Sequence, residues 1–153
     1  MSTYKVSGLH DRSGDVKSPL LKPGRYVVTC VSAREPKRNR DDNGTIFGWD
    51  LNITDALGQA ADQDPSLYQG RNQYFSTFIM DEEHPKYSDW HHLGEEQLKN
   101  FLDAMGVKVD DDGSFDPEDA VDNEAIAKLK VQKAKTDDDD DRNEVVEFKE
   151  MEN

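Results

Sequence analysis

Residues 45–54, TIFGWDLNIT, alternate without a break. Phe47, Trp49, Leu51 and Ile53 fall on one side of an extended chain, and Gly48, Asp50 and Asn52 on the other. A period of two is the signature of a half-buried strand. The preceding stretch Arg25–Glu35, RYVVTCVSARE, is rich in β-branched and aromatic residues and predicts a strand entered through the turn Pro23-Gly24. Between them Pro36–Gly44 is polar and ends in Asn43-Gly44, a hairpin signal, so the two strands are expected to pair antiparallel. A polar connection over Asp55–Gly70 leads to a third strand, Arg71–Met80. One of its sides carries Phe75, Thr77 and Ile79; the other carries Asn72, Tyr74, Ser76 and Phe78. Both sides hold aromatics, so one of them is expected to be exposed or covered by something else.

The period then changes. An acidic, His-containing loop (Asp81–His92) precedes Gly94–Gly106, where Leu98, Phe101, Leu102 and Met105 recur at helical spacing. Glu95 and Glu96 suit its first turn and Gly106 its C-terminal stop. Asp116-Pro117 reads as a cap followed by proline at the first helical position, which predicts a short helix near 117–122. Leu129–Lys135 and Asn143–Phe148 read as two more strands, joined through the aspartate run 137–141 as a tight solvated loop. Residues 1–22 have no period and are punctuated by Ser7-Gly8, Ser13-Gly14 and Ser18-Pro19.

Three strands, helical material and two strands form the order of a five-stranded, OB-fold-like antiparallel Greek-key barrel with its helix between strands 3 and 4. The expected fold class is therefore mainly β with minor α, and a generic α+β sandwich is the alternative. The expected organisation is a flexible arm over 1–22, one domain over 23–150 and a short acidic C-terminus over 151–153.

Composition narrows the function. The chain has 153 residues, of which 34% are hydrophobic and another 34% charged. Mean hydropathy is −0.94. That predicts ordered strands separated by long solvated segments. No run approaches the ~20 apolar residues of a membrane span, and no signal-peptide core is present, so a cytoplasmic protein is expected. One cysteine, Cys30, excludes an internal disulfide framework and a four-cysteine zinc site. The net charge of −14 argues against a duplex-coating protein when taken whole. It is not evenly spread. Residues 1–80 carry 10 basic and 9 acidic side chains, whereas 81–153 carry 9 and 24. Between Lys22 and Arg40 six side chains are basic and only Glu35 is acidic.

That local excess frames the candidate chemistry. Arg34, Lys37, Arg38 and Arg40 lie in or beside the loop joining the first two strands, where a barrel of this kind borders its ligand groove. An ordinary solvated hairpin tip is the bland alternative, and Asp41 and Asp42 dilute the field. Lys130, Lys133 and Lys135 on the fourth strand extend a basic stripe or decorate a solvated face. Among the aromatics, Tyr74 and Phe78 share a side with Asn72 and Ser76, which suits base stacking. Trp49 is a third stacking candidate, although its side of the strand also suits the core. Enzyme signals are weak. His84, His91, His92 and Cys30 show no zinc-finger or H-E-x-x-H spacing. Asp110–Asp119 lacks the glycine and the closing Glu of a calcium loop, having Phe115 and Val121 there. No catalytic residue, metal or cofactor is expected.

The run LLKPGRYVVTCVSAREPKRNRDDNGTIFGWDLNIT resembles the Gly-x-Tyr first strand, basic loop and apolar second strand of small phage-encoded OB-fold single-stranded-DNA-binding proteins. The resemblance continues through Gly70-Arg71, LKNFLDAMG and LKVQKAKTDDDDDRNEVVEF. It implies sequence-independent binding of single-stranded DNA in phage replication or recombination, within the host cytoplasm. Arg34, Lys37, Arg38, Arg40, Lys130 and Lys133 would guide the backbone, and Tyr74, Phe78 and Trp49 would stack. Self-association through open sheet edges, and recruitment of replication or recombination proteins by the acidic surface, are further partner expectations; no membrane is expected. The alternative is an acidic protein-interaction module or DNA mimic that inhibits a nucleic-acid enzyme with its carboxylate-rich half.

Overall fold

The computed structural model describes residues 2–11, 20–134 and 141–151. Strand β1 (Gly24–Ala33) pairs antiparallel with the long strand β3 (Gly44–Leu57), as the alternation predicts. Inside the loop between them lies a two-residue strand, β2 (Lys37–Arg38), which continues the β1 edge of β3. β4 (Asn72–Met80) pairs with the other edge of β3. Helix α1 (Tyr87–Ala104) follows. Then β5 (Glu124–Gln132) returns to pair with β1, and β6 (Arg142–Glu150) pairs with β5. The long strands therefore run β4-β3-β1-β5-β6 in space, all antiparallel.

Two expectations about the sheet are corrected. Among the described residues it has six strands rather than five, and the ladder does not close, with β4 and β6 as its ends. Helix α1 packs against both end strands. Its Asn100 replaces a strand at the β6 edge: the side-chain Oδ1 accepts the Phe148 N–H at 2.8 Å and Nδ2 donates to the Phe148 carbonyl at 3.0 Å. Those two bonds satisfy the backbone groups that a neighbouring strand would otherwise pair. At the far end of β6, Gln73 Nε2 reaches across to the Asn143 carbonyl at 3.4 Å.

The core lies between the curled sheet and α1. Tyr26, Val28 and Cys30 of β1 meet Trp49, Leu51 and Ile53 of β3, and Leu98, Phe101 and Leu102 of α1 close over them. Trp49, Phe75, Phe101 and Phe148 form one aromatic cluster with neighbouring ring centres 4.4–6.3 Å apart. Each such side chain contributes roughly 1.5–3 kcal/mol when fully buried.

α1 begins seven residues before the expected Gly94 and takes in His91 and His92, which the sequence pattern places in a loop. Its first turns expose Trp90 and Leu93, so they carry no core stripe for periodicity to detect. Gly94 there is a point of close approach rather than a start signal: a Cβ would collide with the Phe78 carbonyl of β4. The helix stops as expected. Gly106 takes a positive φ of 73°, and the Val107 N–H donates to the Leu102 carbonyl at 2.8 Å. The short helix expected near 117–122 is a 3-10 turn over Pro117–Ala120, capped by Asp116.

β5 starts at Glu124, five residues earlier than expected, because Ala125 and Ala127 are buried against β1 despite alanine's weak strand preference. The expected boundary at residue 23 falls after Leu21, which is buried and held by both ends of the Asn143 amide. Of the aspartate run, residues 137–140 lie outside the described residues, as do residue 1 and residues 12–19 of the arm. No helix among the described residues is long and apolar enough to cross a membrane.

Candidate nucleic-acid interface

The outward side of β3 carries glycine where it meets the aromatics of β4. Tyr74 pairs with Asp50 and Phe78 with Ile46, and each ring leans two residues along β3 to lie over a glycine. A Cβ on Gly48 would overlap the Tyr74 phenol, and one on Gly44 would overlap the Phe78 ring. Gly44 and Gly48 on one strand therefore match Tyr74→Phe78 on the next at the same four-residue spacing. The result is two aromatic rings lying down on the sheet instead of standing up from it. Tyr74 is 38% exposed. Phe78 is half-buried, with the His84 ring edge-on to it at 5.7 Å.

Arg34 borders this face. It leaves the end of β1 with its N–H donating to the Gly48 carbonyl at 2.9 Å, and its guanidinium sits 4.1 Å above the centre of the Tyr74 ring. Nη2 and Nε of the same group bind the two Asp50 oxygens at 2.8 and 3.1 Å. That guanidinium holds the Asp50 carboxyl below the usual carboxylate range, and the Ser32 hydroxyl donates to it as well. Asp50 and Ser32 were not among the residues expected here. Their signal was available, because they share the outward phase of β3 and the end of β1.

The basic loop is built more tightly than its composition suggests. The chain reverses at Asp42, with φ 53°, and not at the expected Asn43-Gly44, since Gly44 already belongs to β3. Asn39 closes the loop, its Oδ1 accepting the Asn43 N–H at 2.9 Å. Arg38 is committed to carboxylates: Asp81 and Asp42 pair with it and raise its pKa further, and its guanidinium in turn holds the Asp81 carboxyl below the usual carboxylate range. Lys37 and Arg40 are exposed and have no side-chain partner among the described residues.

The remaining expectations divide. Lys130 pairs with Glu144 directly across the ladder at 3.2 Å, and Lys133 with Asp141 at 3.4 Å. Neither adds net positive charge, so the basic stripe expected on this strand is neutralised; Lys135 lies outside the described residues. Trp49 is corrected outright as a stacking residue. It is 0% exposed, its ring packs on Phe101 at 4.4 Å, and its indole N–H donates to the Pro117 carbonyl at 3.0 Å. No face is left for a base.

A second concavity of about 910 Å³ runs between β4 and β6 beneath α1. Glu96, Glu144 and Glu147 line it beside Lys130 and Arg142, so it has no positive excess. The aromatic surface is the β3–β4 face, where Asp50 compensates Arg34 and the uncompensated positive charge comes from Lys37 and Arg40 of the adjoining loop. Among the described residues no group of three or more His, Cys, Asp or Glu is placed to hold a metal ion. The Cys30 thiol is pushed up to about 11 by burial and by the carboxylates of Glu118, Asp122 and Asp50, which leaves it protonated and unreactive at neutral pH. No protein-family model matches the chain, and no curated protein matches it.

Proposed function

We propose that this protein binds single-stranded DNA without regard to sequence, as its resemblance to phage single-strand binders implies, and that it has no catalytic role. The observation that carries the reading is the pair of rings lying over Gly48 and Gly44, with Arg34 above one of them and an exposed basic loop alongside. A base meets the Phe78 ring directly and, at Tyr74, the guanidinium plane of Arg34 that lies over the ring; such flat surfaces accept any base because every base has a π-face, and the cations of the loop meet the phosphates.

Strand order supports the same reading. β4-β3-β1-β5-β6 with a helix between β4 and β5 is the connectivity of an OB-fold barrel left open at its last seam. In that fold the ligand face lies on the second and third long strands, here β3 and β4, beside the loop after the first. An acidic remainder keeps weak duplex binding low while the small positive face holds one strand.

Fluorescence anisotropy with labelled oligo-dT at about 50 mM salt tests the reading. Binding that weakens with salt at a slope near −0.7 per phosphate supports it. Absence of binding overturns it in favour of the acidic interaction module or DNA mimic, which ignores oligo-dT and seeks a basic partner.

A further inference from the structure

A second positive site lies at the opposite end of β1. Arg25 and Lys128 are directly opposed on β1 and β5, so both project from the same side of the sheet. On the next strand Glu147 opposes Lys128, and Lys149 opposes Ile126, which places them on that side too. Gly24, Arg25, Ile126, Lys128, Glu147 and Lys149 line a cavity of about 340 Å³.

Its chemistry is uneven. Ile126 makes an apolar floor, almost fully buried yet outside the main core. Three cations rim it against one carboxylate, and that carboxylate is engaged by Lys149 at 3.7 Å. Arg25 and Lys128 have no ion-pair partner among the described residues. Like charges directly opposite in an antiparallel ladder repel, and an anion between them relieves that repulsion. In a chain of net charge −14, such an uncompensated cationic pair marks a site where an anion is expected.

We infer that this cleft is a second contact for the same strand of DNA, with a phosphodiester between Arg25 and Lys128 and the adjoining sugar or base against Ile126. The inference rests on the single-strand-binding reading. Arg25 and Arg34 stand at the two ends of β1, about 30 Å apart at ~3.3 Å per residue. A short oligonucleotide therefore reaches only the Tyr74–Phe78 face, whereas a long one reaches both. The separation exceeds the Debye length of about 10 Å at 0.1 M salt, so removing the distant cations leaves the first face electrically undisturbed.

The test compares oligo-dT of about 4 and about 16 nucleotides on the full chain and on Arg25→Ala with Lys128→Ala. The expected result is unchanged affinity for the short oligonucleotide and roughly tenfold weaker binding of the long one. The salt slope for the long one falls by about 0.7, the share of that one phosphate. Retained short-oligonucleotide binding also shows that the variant is folded. Equal affinity of variant and parent for the long oligonucleotide overturns the second site while leaving the first intact. A parent chain that binds neither length overturns the single-strand reading itself. Loss of both lengths together, with an unchanged thermal transition, overturns the separation into two sites.

Discussion

The Arg34 guanidinium rests 4.1 Å above the Tyr74 ring while gripping Asp50 through two hydrogen bonds. An arginine just past the end of β1, a carboxylate of β3 and an aromatic of β4 are thereby set as one unit on the β3–β4 face. Asp50 orients the cation, and the cation flattens and charges the ring surface. Asp50→Asn keeps the shape and removes the charge, so Arg34 is expected to loosen and oligo-dT to dissociate faster. The native pair follows the same logic with pH. The Asp50 pKa is lowered on folding, so its contribution is present above the ordinary Asp value of about 3.9 and is lost as pH falls below it. An NMR titration of the Arg34 side chain checks this, and an Arg34 signal unmoved through that window contradicts it.

Tyr74→Ala combined with Phe78→Ala removes both rings. Loss of about 1–3 kcal/mol of binding per stacked base is expected, with the sheet register kept because β4 remains paired to β3. Anisotropy against oligo-dT measures it, and unchanged affinity removes both residues from the interface.

The two glycines separate binding from stability. At Gly48 the nearest atoms an added Cβ meets are the far end of the Tyr74 side chain, which can swing away, so Gly48→Ala is expected to weaken binding with little change in melting temperature. At Gly44 the Cβ also meets the Ile79 backbone carbonyl at 2.9 Å, which cannot move without disturbing the ladder. Gly44→Ala is expected to lower the urea midpoint as well, by the equivalent of about 1–3 kcal/mol. Equal thermal effects of the two substitutions would count against this geometry.

Trp49→Phe tests the core assignment. It removes the indole bond to the Pro117 carbonyl and leaves unfilled volume beside Phe101, at an expected cost of about 1–3 kcal/mol. Oligo-dT affinity of the folded fraction stays at the parent value. Lost affinity at full stability would return Trp49 to the stacking surface.

Cys30 gives a high-pH signature. Its pKa rises on folding from the ordinary value of 9.0 to about 11, so its stabilising effect is complete below 9 and is lost as pH climbs toward 11. Thermal melts of the parent are expected to fall more steeply across that interval than those of Cys30→Ala. Parallel curves would show that the thiol does not control this limb.

How much of the molecule was legible beforehand depends on the range of the interaction that decides each part. Alternation placed β3 and its inward face because Trp49, Leu51 and Ile53 answer to a local period. The helix from Leu98 to its Gly106 stop answers to another. Tyr74 and Phe78 were found as the outward aromatics of β4 for the same reason. The start of α1 was missed because residues 87–93 face solvent and carry no stripe. Trp49 stands on the apolar side with Leu51 and Ile53, and only its contacts with Phe101 and the Pro117 carbonyl, both remote in the chain, remove it from the stacking candidates.

By itself, then, the sequence determined the number of long strands, their phases, the helix stop and the local positive excess near residues 22–40. All of these are written within a few neighbouring residues. Tertiary structure decided which charges remain available. Arg38, Lys130 and Lys133 meet carboxylates only through loop closure or cross-strand pairing, while Arg25 and Lys128 oppose each other only because β1 lies beside β5. It also decided that the rings of β4 lie flat, since Gly44 and Gly48 meet Phe78 and Tyr74 only in register across the sheet. Charge compensation and ring orientation depend on distances between segments remote in the chain, and folding sets those distances.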